Sequence, residues 1–252
     1  MLIGSSLKMY FGRERTREWT AAVAQVCATH PAVRSGLVEP FVIPSFPSIP
    51  EVVAIAGPAG MRVGAQDVHW EDAGAYTGEV SAAELVEHGV SLVEIGHAER
   101  RTLFGETDET VAKKVAATLQ HGMTPLLCIG ESERSGHRAA AAACIAQLEA
   151  SLARATRDGT TGELVVAYEP VWAIGAPEPA EDHHIRAVAS ALQEQLADGP
   201  FRARVIYGGS AGPGLLARIA DVVDGMFLGR FAHNPAAFGR ILDEAFEIEE
   251  TR

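Results

Sequence analysis

The chain has 252 residues, 47% hydrophobic and 21% charged, which is ordinary globular material sufficient for the core of one large domain. Its 33 acidic and 21 basic side chains leave a formal charge of −12. That balance argues against a nucleic-acid or anionic-membrane partner over a broad face, and any anionic substrate must be held by a locally positive site.

In chain order, short apolar runs alternate with longer stretches of helical period. The first run, Leu2–Met9, reads as a strand and leads to a helix at Glu14–His30. Strand Gly36–Ile43 precedes helix Ser48–Ala56, and strand Met61–Gln66 precedes helix Ser81–His88, with Gly89 as its stop. Strand Ser91–Gly96 leads to helix Asp108–His121; acidic residues at Glu106, Asp108 and Glu109 suit the helix dipole, and Gly122 ends it. Strand Thr124–Ile129 leads to Glu131–Ala155, whose alanine tract Arg138–Cys144 expresses helix propensity. Strands Glu163–Tyr168, Arg204–Tyr207 and Gly225–Leu228 alternate with helices Ala180–Ala197, Gly214–Val222 and Pro235–Glu247.

Eight apolar strands, each followed by a helix, predict an α/β fold with a parallel sheet, closed as a (β/α)8 barrel in a single domain over 1–252. No G-x-G-x-x-G follows the first strand, which disfavours the open doubly wound alternative. Cys27, Cys128 and Cys144 are odd in number and lack a CxxC pair, so the expectation is a reducing, cytoplasmic setting without disulfides or a zinc cluster. Neither a leader nor a membrane span is expected from the apolar runs. His183 and His184 read as a solvated helix face, and Cys128 as core.

Barrel chemistry sits at the C-terminal ends of the strands. There the sequence places Ser6-Leu7-Lys8, Gly96-His97-Ala98-Glu99-Arg100-Arg101, and Glu169 between an apolar strand and Pro170. A carboxylate at such a position is costly unless paired or protonated, so Glu169 is poorly explained as core. Tyr207-Gly208-Gly209-Ser210 and Leu228-Gly229-Arg230 supply glycines that let backbone N–H groups approach an anion, although tight turns also use glycine.

These stretches, with Tyr168-Glu169-Pro170-Val171-Trp172-Ala173-Ile174-Gly175, Gly64-Ala65-Gln66, Ala75-Tyr76-Thr77-Gly78-Glu79 and Leu127-Cys128-Ile129-Gly130-Glu131, closely resemble the triosephosphate isomerase family over nearly the whole chain. The resemblance implies a TIM barrel and a sugar-phosphate isomerase working through a cis-enediolate. It makes Glu169 the base, His97 a neutral electrophile and Lys8 the fixed positive charge, with no metal or organic cofactor. Glu99 would orient Lys8 and the substrate, and Gly175, Ser210 and Gly229 would surround the phosphate. Pro170–Gly175 would begin a lid that excludes water. Thr77 would reach toward the partner's Lys8 region in a homodimer.

The chain departs from that family's usual pattern at several points. Ser6 stands where Asn is usual, Ala98 where Ser is usual and Arg230 where a second glycine is usual. His69-Trp70 follows the third strand, and the lid continues Ala176-Pro177-Glu178-Pro179. Together these are similar to the L-erythrulose-1-phosphate isomerase branch of four-carbon polyol catabolism. Its reaction gives D-erythrulose 4-phosphate. Ser6 and a shorter lid would make room for the longer substrate, which Arg230 or Trp70 would help fix; Trp70 fits a subunit interface equally well. The alternatives are a glycolytic triosephosphate isomerase and, more remotely, a non-catalytic sugar-phosphate sensor.

Overall fold

Side chains alternate across a strand, and these runs are apolar on both faces, so each strand needs cover on two sides. The computed structural model describes residues 1–251. Its strands are β1 (Leu2–Ser6), β2 (Glu39–Ile43), β3 (Arg62–Ala65), β4 (Leu92–Ile95), β5 (Thr124–Ile129), β6 (Gly162–Tyr168), β7 (Phe201–Tyr207) and β8 (Gly225–Leu228). All pair in parallel in chain order, and β8 returns to β1 to close the barrel. One buried cluster, including Leu2, Phe41, Leu92, Cys128, Val165 and Phe227, takes the inward parity of the strands. The opposite parity (Ile3, Val42, Val93, Leu127, Val166, Val205) packs in a second cluster with helical Val23, Val115, Leu148, Val188 and Ile241. Phe41 lies against Gly4: a Cβ there would stand 2.2 Å from its ring.

The outer layer comprises α1 (Arg13–Thr29), α2 (Pro31–Arg34), α3 (Ile49–Ala56), α4 (Ala82–Glu87), α5 (Ala98–Leu103), α6 (Asp108–Gln120), α7 (His137–Arg157), α8 (Asp182–Ala197), α9 (Leu215–Ile219) and α10 (Pro235–Glu250). Thr107 and Thr110 form a reciprocal capping box at the start of α6, and Gly122 leaves its end with φ +71°.

The structure corrects several boundaries. β1 stops at Ser6 rather than Met9, because Lys8 adopts a left-handed φ of +47° that no strand can continue. β2 begins at Glu39, after Gly36 turns the chain at φ +76°. Glu131 lies outside the helix expected to start there; α7 begins at His137 and runs to Arg157. α8 begins at Asp182, and α9 is a short Leu215–Ile219. Two short helices, α2 and α5, fall in stretches where no helix was expected. His184 is buried rather than solvated, leaving only His183 on the exposed face. All three cysteines are buried and free.

A buried charge cluster braces the strand ends near the barrel mouth. Lys114 of α6 bonds Asp67, after β3, at 2.6 Å, and also bonds Glu106. Arg100 of α5 reaches Asp67 at 2.7 Å, while Glu106 accepts from the backbone N–H of Gly96 at 3.2 Å. Glu106 therefore anchors the residue preceding His97, beyond the helix-dipole role its sequence position suggests. Lys114→Met removes the buried cation shared by two carboxylates, leaving Asp67 with Arg100 and Glu106 with the Gly96 amide, and should lower unfolding free energy by about 3 kcal/mol in urea titration. A loss under about 1 kcal/mol would show the cluster to be dispensable.

Candidate active site

Most of the strand-end candidates converge on one cavity of about 170 Å³ at the C-terminal mouth; Glu99, half exposed, is outside its lining and is joined to it through Lys8. Ser6, Lys8, His97 and Glu169 line one part; Gly175, Gly209, Ser210, Gly229 and Arg230 line another, with Ile174, Phe227 and Phe231 as apolar walls. Each residue arrives there for a local reason. The left-handed turn at Lys8 redirects the chain, and Gln66 Nε2 holds the Lys8 carbonyl at 3.0 Å. His97 precedes α5, and the Glu99 backbone N–H donates to its Nδ1 at 3.1 Å. Because Nδ1 is an acceptor, the ring proton of the neutral imidazole belongs on Nε2. That nitrogen lies 3.6 Å from Glu169 Oε2.

Glu169 follows β6, with its N–H bonded to Ile129 O at 2.8 Å. Two glycines make space for it. A Cβ on Gly130 would collide with the Glu169 carbonyl at 1.8 Å, and one on Gly208 would come within 2.7 Å of its side chain. Gly208, read from sequence as part of an anion turn, thus serves Glu169. At the far end of the cavity, Ser210 Oγ donates to Ala176 O at 2.8 Å, tying the segment after Gly175 to β7. A Cβ on Gly175 would lie 3.8 Å from an Arg230 guanidinium nitrogen, so the two approach across the cavity.

The electrostatics are dominated by burial. Burial, together with the nearby Lys8 charge, lowers His97 to about 4 despite Glu99, keeping it neutral. Burial pushes Glu169 up to about 8, reinforced by Glu94 and opposed by Lys8. Burial also raises Glu94 to about 7, against the Ser6 hydrogen bond and Lys8. Burial alone would lower Lys8, but its 2.7 Å bond to Glu99 and the charges of Glu99, Glu169 and Glu94 outweigh this and raise it. Glu169 Oε2 is buried without a hydrogen-bond donor, an arrangement suited to receiving a proton.

The base of the segment after Glu169 is pinned by Glu131, a residue the strand-end reading passed over. Its carboxylate accepts from Trp172 Nε1 at 2.7 Å and from the Tyr168 hydroxyl, and pairs with His184 Nε2 at 3.0 Å. Trp70 and Thr77 are not in the cavity. Trp70 stacks on His69 at 4.2 Å between centroids, under Lys113, and Thr77 is exposed on the loop after β3. Trp70 therefore cannot contact a ligand held in this cavity as the chain stands. Among the described residues, no cluster of three His, Cys, Asp or Glu side chains is arranged to hold a metal ion. No helix is long and apolar enough to cross a membrane.

Comparison with known proteins places this geometry in context. A family model described as triosephosphate isomerase matches residues 1–245. An L-erythrulose-1-phosphate isomerase of Pectobacterium atrosepticum is 50% identical over 250 residues, covering 98% of this chain and 96% of that one. Proteins of the same name from Rhizobium etli and Mycolicibacterium smegmatis are 39% and 38% identical, covering 95% and 96% of this chain and 90% and 92% of theirs.

A carboxyl held near 8 is protonated over much of the range in which an ordinary glutamate is ionised. If Glu169 is the base, proton abstraction weakens as pH falls through that value. The acid limb of the kcat/KM profile, corrected for ionisation of the substrate phosphate, should lie above about pH 6. A corrected midpoint near about 4, the ordinary glutamate range, would contradict this electrostatic reading.

Proposed function

The chain belongs to the triosephosphate isomerase family, a sugar-phosphate isomerase by that membership, and we propose that it interconverts L-erythrulose 1-phosphate and D-erythrulose 4-phosphate. The reaction rests on one observation above all, a neutral imidazole whose Nε2 lies 3.6 Å from an unpartnered, buried carboxylate oxygen. The choice of substrate draws on the 50% identity to a protein named for it.

In this reading Glu169 removes the proton from C3, beside the C2 carbonyl, while His97 Nε2–H hydrogen-bonds the oxygen that gains charge. The resulting cis-enediolate exchanges protons between its two oxygens through His97. Glu169 then returns the proton to C2, and the carbonyl forms at C3. Renumbered from the other end, the product is D-erythrulose 4-phosphate. Lys8, oriented by its bond to Glu99, supplies positive charge to the phosphate and enediolate. Backbone N–H groups at Gly175, Ser210 and Gly229, with the Arg230 guanidinium, receive the phosphate. The segment from Pro170 to Gly175 closes over the intermediate and keeps water away. Every step uses side chains already at the mouth, and none calls for a metal or organic cofactor.

We place this activity in cytoplasmic catabolism of four-carbon polyols, as one isomerase domain over 1–252 that works as a homodimer. Exposed Met9 and Tyr76, on the loops after β1 and β3, support an interface there that includes Thr77 and Trp70. Nucleic acid has no place in the scheme, given the charge of −12.

Turnover of L-erythrulose 1-phosphate and dihydroxyacetone phosphate should be compared under one set of conditions. A kcat/KM about tenfold or more higher on the tetrulose is expected, and Glu169→Gln should lower kcat by about 100- to 10,000-fold. A higher kcat/KM on the triose would overturn the substrate assignment. In sedimentation, the mass should be twice that of one chain; a monomer that is fully active would overturn the dimer.

A further inference from the structure

Within the apolar run that forms β4, Glu94 shares the inward parity of Leu92. It is 3% exposed, and among the described residues its hydrogen-bond donor is Ser6 Oγ, at 2.8 Å. No lysine, arginine or histidine lies within ion-pair distance of it among those residues. An inward carboxyl so poorly paired is expensive if its only work is packing. It does fix one thing. Once Glu94 is ionised, above about pH 7, its carboxylate only accepts, and the single proton of the Ser6 hydroxyl is committed to it. Ser6 lines the cavity beside His97 and Glu169, so it faces a ligand with lone pairs alone.

The direction of the cavity shows what those lone pairs would meet. With the phosphate at Gly175, Ser210 and Gly229, the reacting carbons lie between Glu169 and His97. A three-carbon substrate ends there. A four-carbon substrate carries a hydroxymethyl group one carbon further from the phosphate, in the part of the cavity bordered by Ser6.

We propose that Ser6 Oγ accepts a hydrogen bond from this terminal hydroxyl, and that Glu94 is the positioning residue that holds Ser6 as an acceptor. The inference rests on the four-carbon reading above and names the groups that carry its selectivity. Glu94 acts through Ser6, so the two side chains work as one unit.

The measurement is the ratio of kcat/KM on L-erythrulose 1-phosphate to that on dihydroxyacetone phosphate in wild type, Ser6→Ala, Glu94→Met, Glu94→Gln and the Ser6→Ala/Glu94→Met double variant. Ser6→Ala and Glu94→Met should each lower the ratio on the order of tenfold, the effect of one lost hydrogen bond. The double variant should be no worse than the poorer single one. Glu94→Gln keeps a carbonyl acceptor for the Ser6 proton and should recover part of the ratio. General structural damage would depress both substrates alike and leave the ratio unmoved.

A wild type that prefers the tetrulose, with a ratio unchanged in Ser6→Ala and in both Glu94 variants, overturns this role while leaving the substrate assignment standing. Additive effects in the double variant overturn the coupling between Glu94 and Ser6. A wild type that prefers the triose overturns the substrate assignment and this inference with it. Should Glu94→Met fail to fold, Ser6→Ala and the near-isosteric Glu94→Gln decide the matter. The same unchanged ratio in those two overturns the role.

Discussion

At the mouth of this barrel a single lysine answers three carboxyl groups. Glu99 touches Lys8 at 2.7 Å, whereas Glu94 and Glu169 feel its charge without contact. Water screens little around the buried Glu94 and Glu169, so burial sets how their protons are held and the one ammonium group moderates it. The two buried carboxyls hold theirs to about 7 and about 8, while the same lysine helps keep His97 neutral. In the proposed reaction this is a working arrangement. The base has high proton affinity, the electrophile carries no charge of its own to lose, and the phosphate meets backbone amides and Arg230 as well as the charge of Lys8.

The scaffold makes that crowding possible by supporting the mouth from behind. Closure of eight strands fills the middle of the barrel with apolar side chains and gathers polar ones at its two ends, with Arg62 and Arg204 paired to Glu39 and Glu163 at the N-terminal end and the candidate site at the C-terminal one. Outside the barrel, the Lys114–Asp67–Glu106–Arg100 cluster links the end of β3 to α5 and α6. Through Glu106 it bonds the backbone of Gly96, and the amide of Glu99 then sets the tautomer of His97. A helix-side ion cluster and the geometry of the candidate site are thus connected by two backbone amides. Glu131 does the corresponding work for the segment after Glu169, gathering Trp172, Tyr168 and His184 around one buried carboxylate.

Much of this was legible before any coordinates. Eight apolar runs separated by helical periods fixed the barrel, and the strand-end rule led directly to Lys8, His97, Glu169 and the glycine turns. The remainder depends on contacts distant in sequence. Nothing local in Leu7-Lys8-Met9 betrays a left-handed residue, because its turn is held by Gln66 from β3's end. His184 looks solvated beside His183 until Glu131, more than fifty residues earlier, is seen to receive it. Likewise, Glu131 resembles a helix-start acid in sequence but belongs to a buried cluster, and α7 begins only at His137. By sequence Trp70 and Arg230 are equal candidates for substrate contact, yet of the two it is Arg230 that lines the cavity. Glu94 carries a signal of its own in the sequence. It alternates with Leu92 inside an apolar strand, and the reasoning that singled out Glu169 applies to it equally.

The left-handed backbone at Lys8 has an evolutionary consequence. For most side chains that conformation costs on the order of 1 kcal/mol, and glycine would remove the strain. In the proposed mechanism glycine would also remove the only ammonium group among three carboxyls. Selection for stability and selection for turnover therefore pull this position in opposite directions. Whatever robustness the lineage gains has to be found elsewhere in the barrel, with this residue carried as a fixed liability.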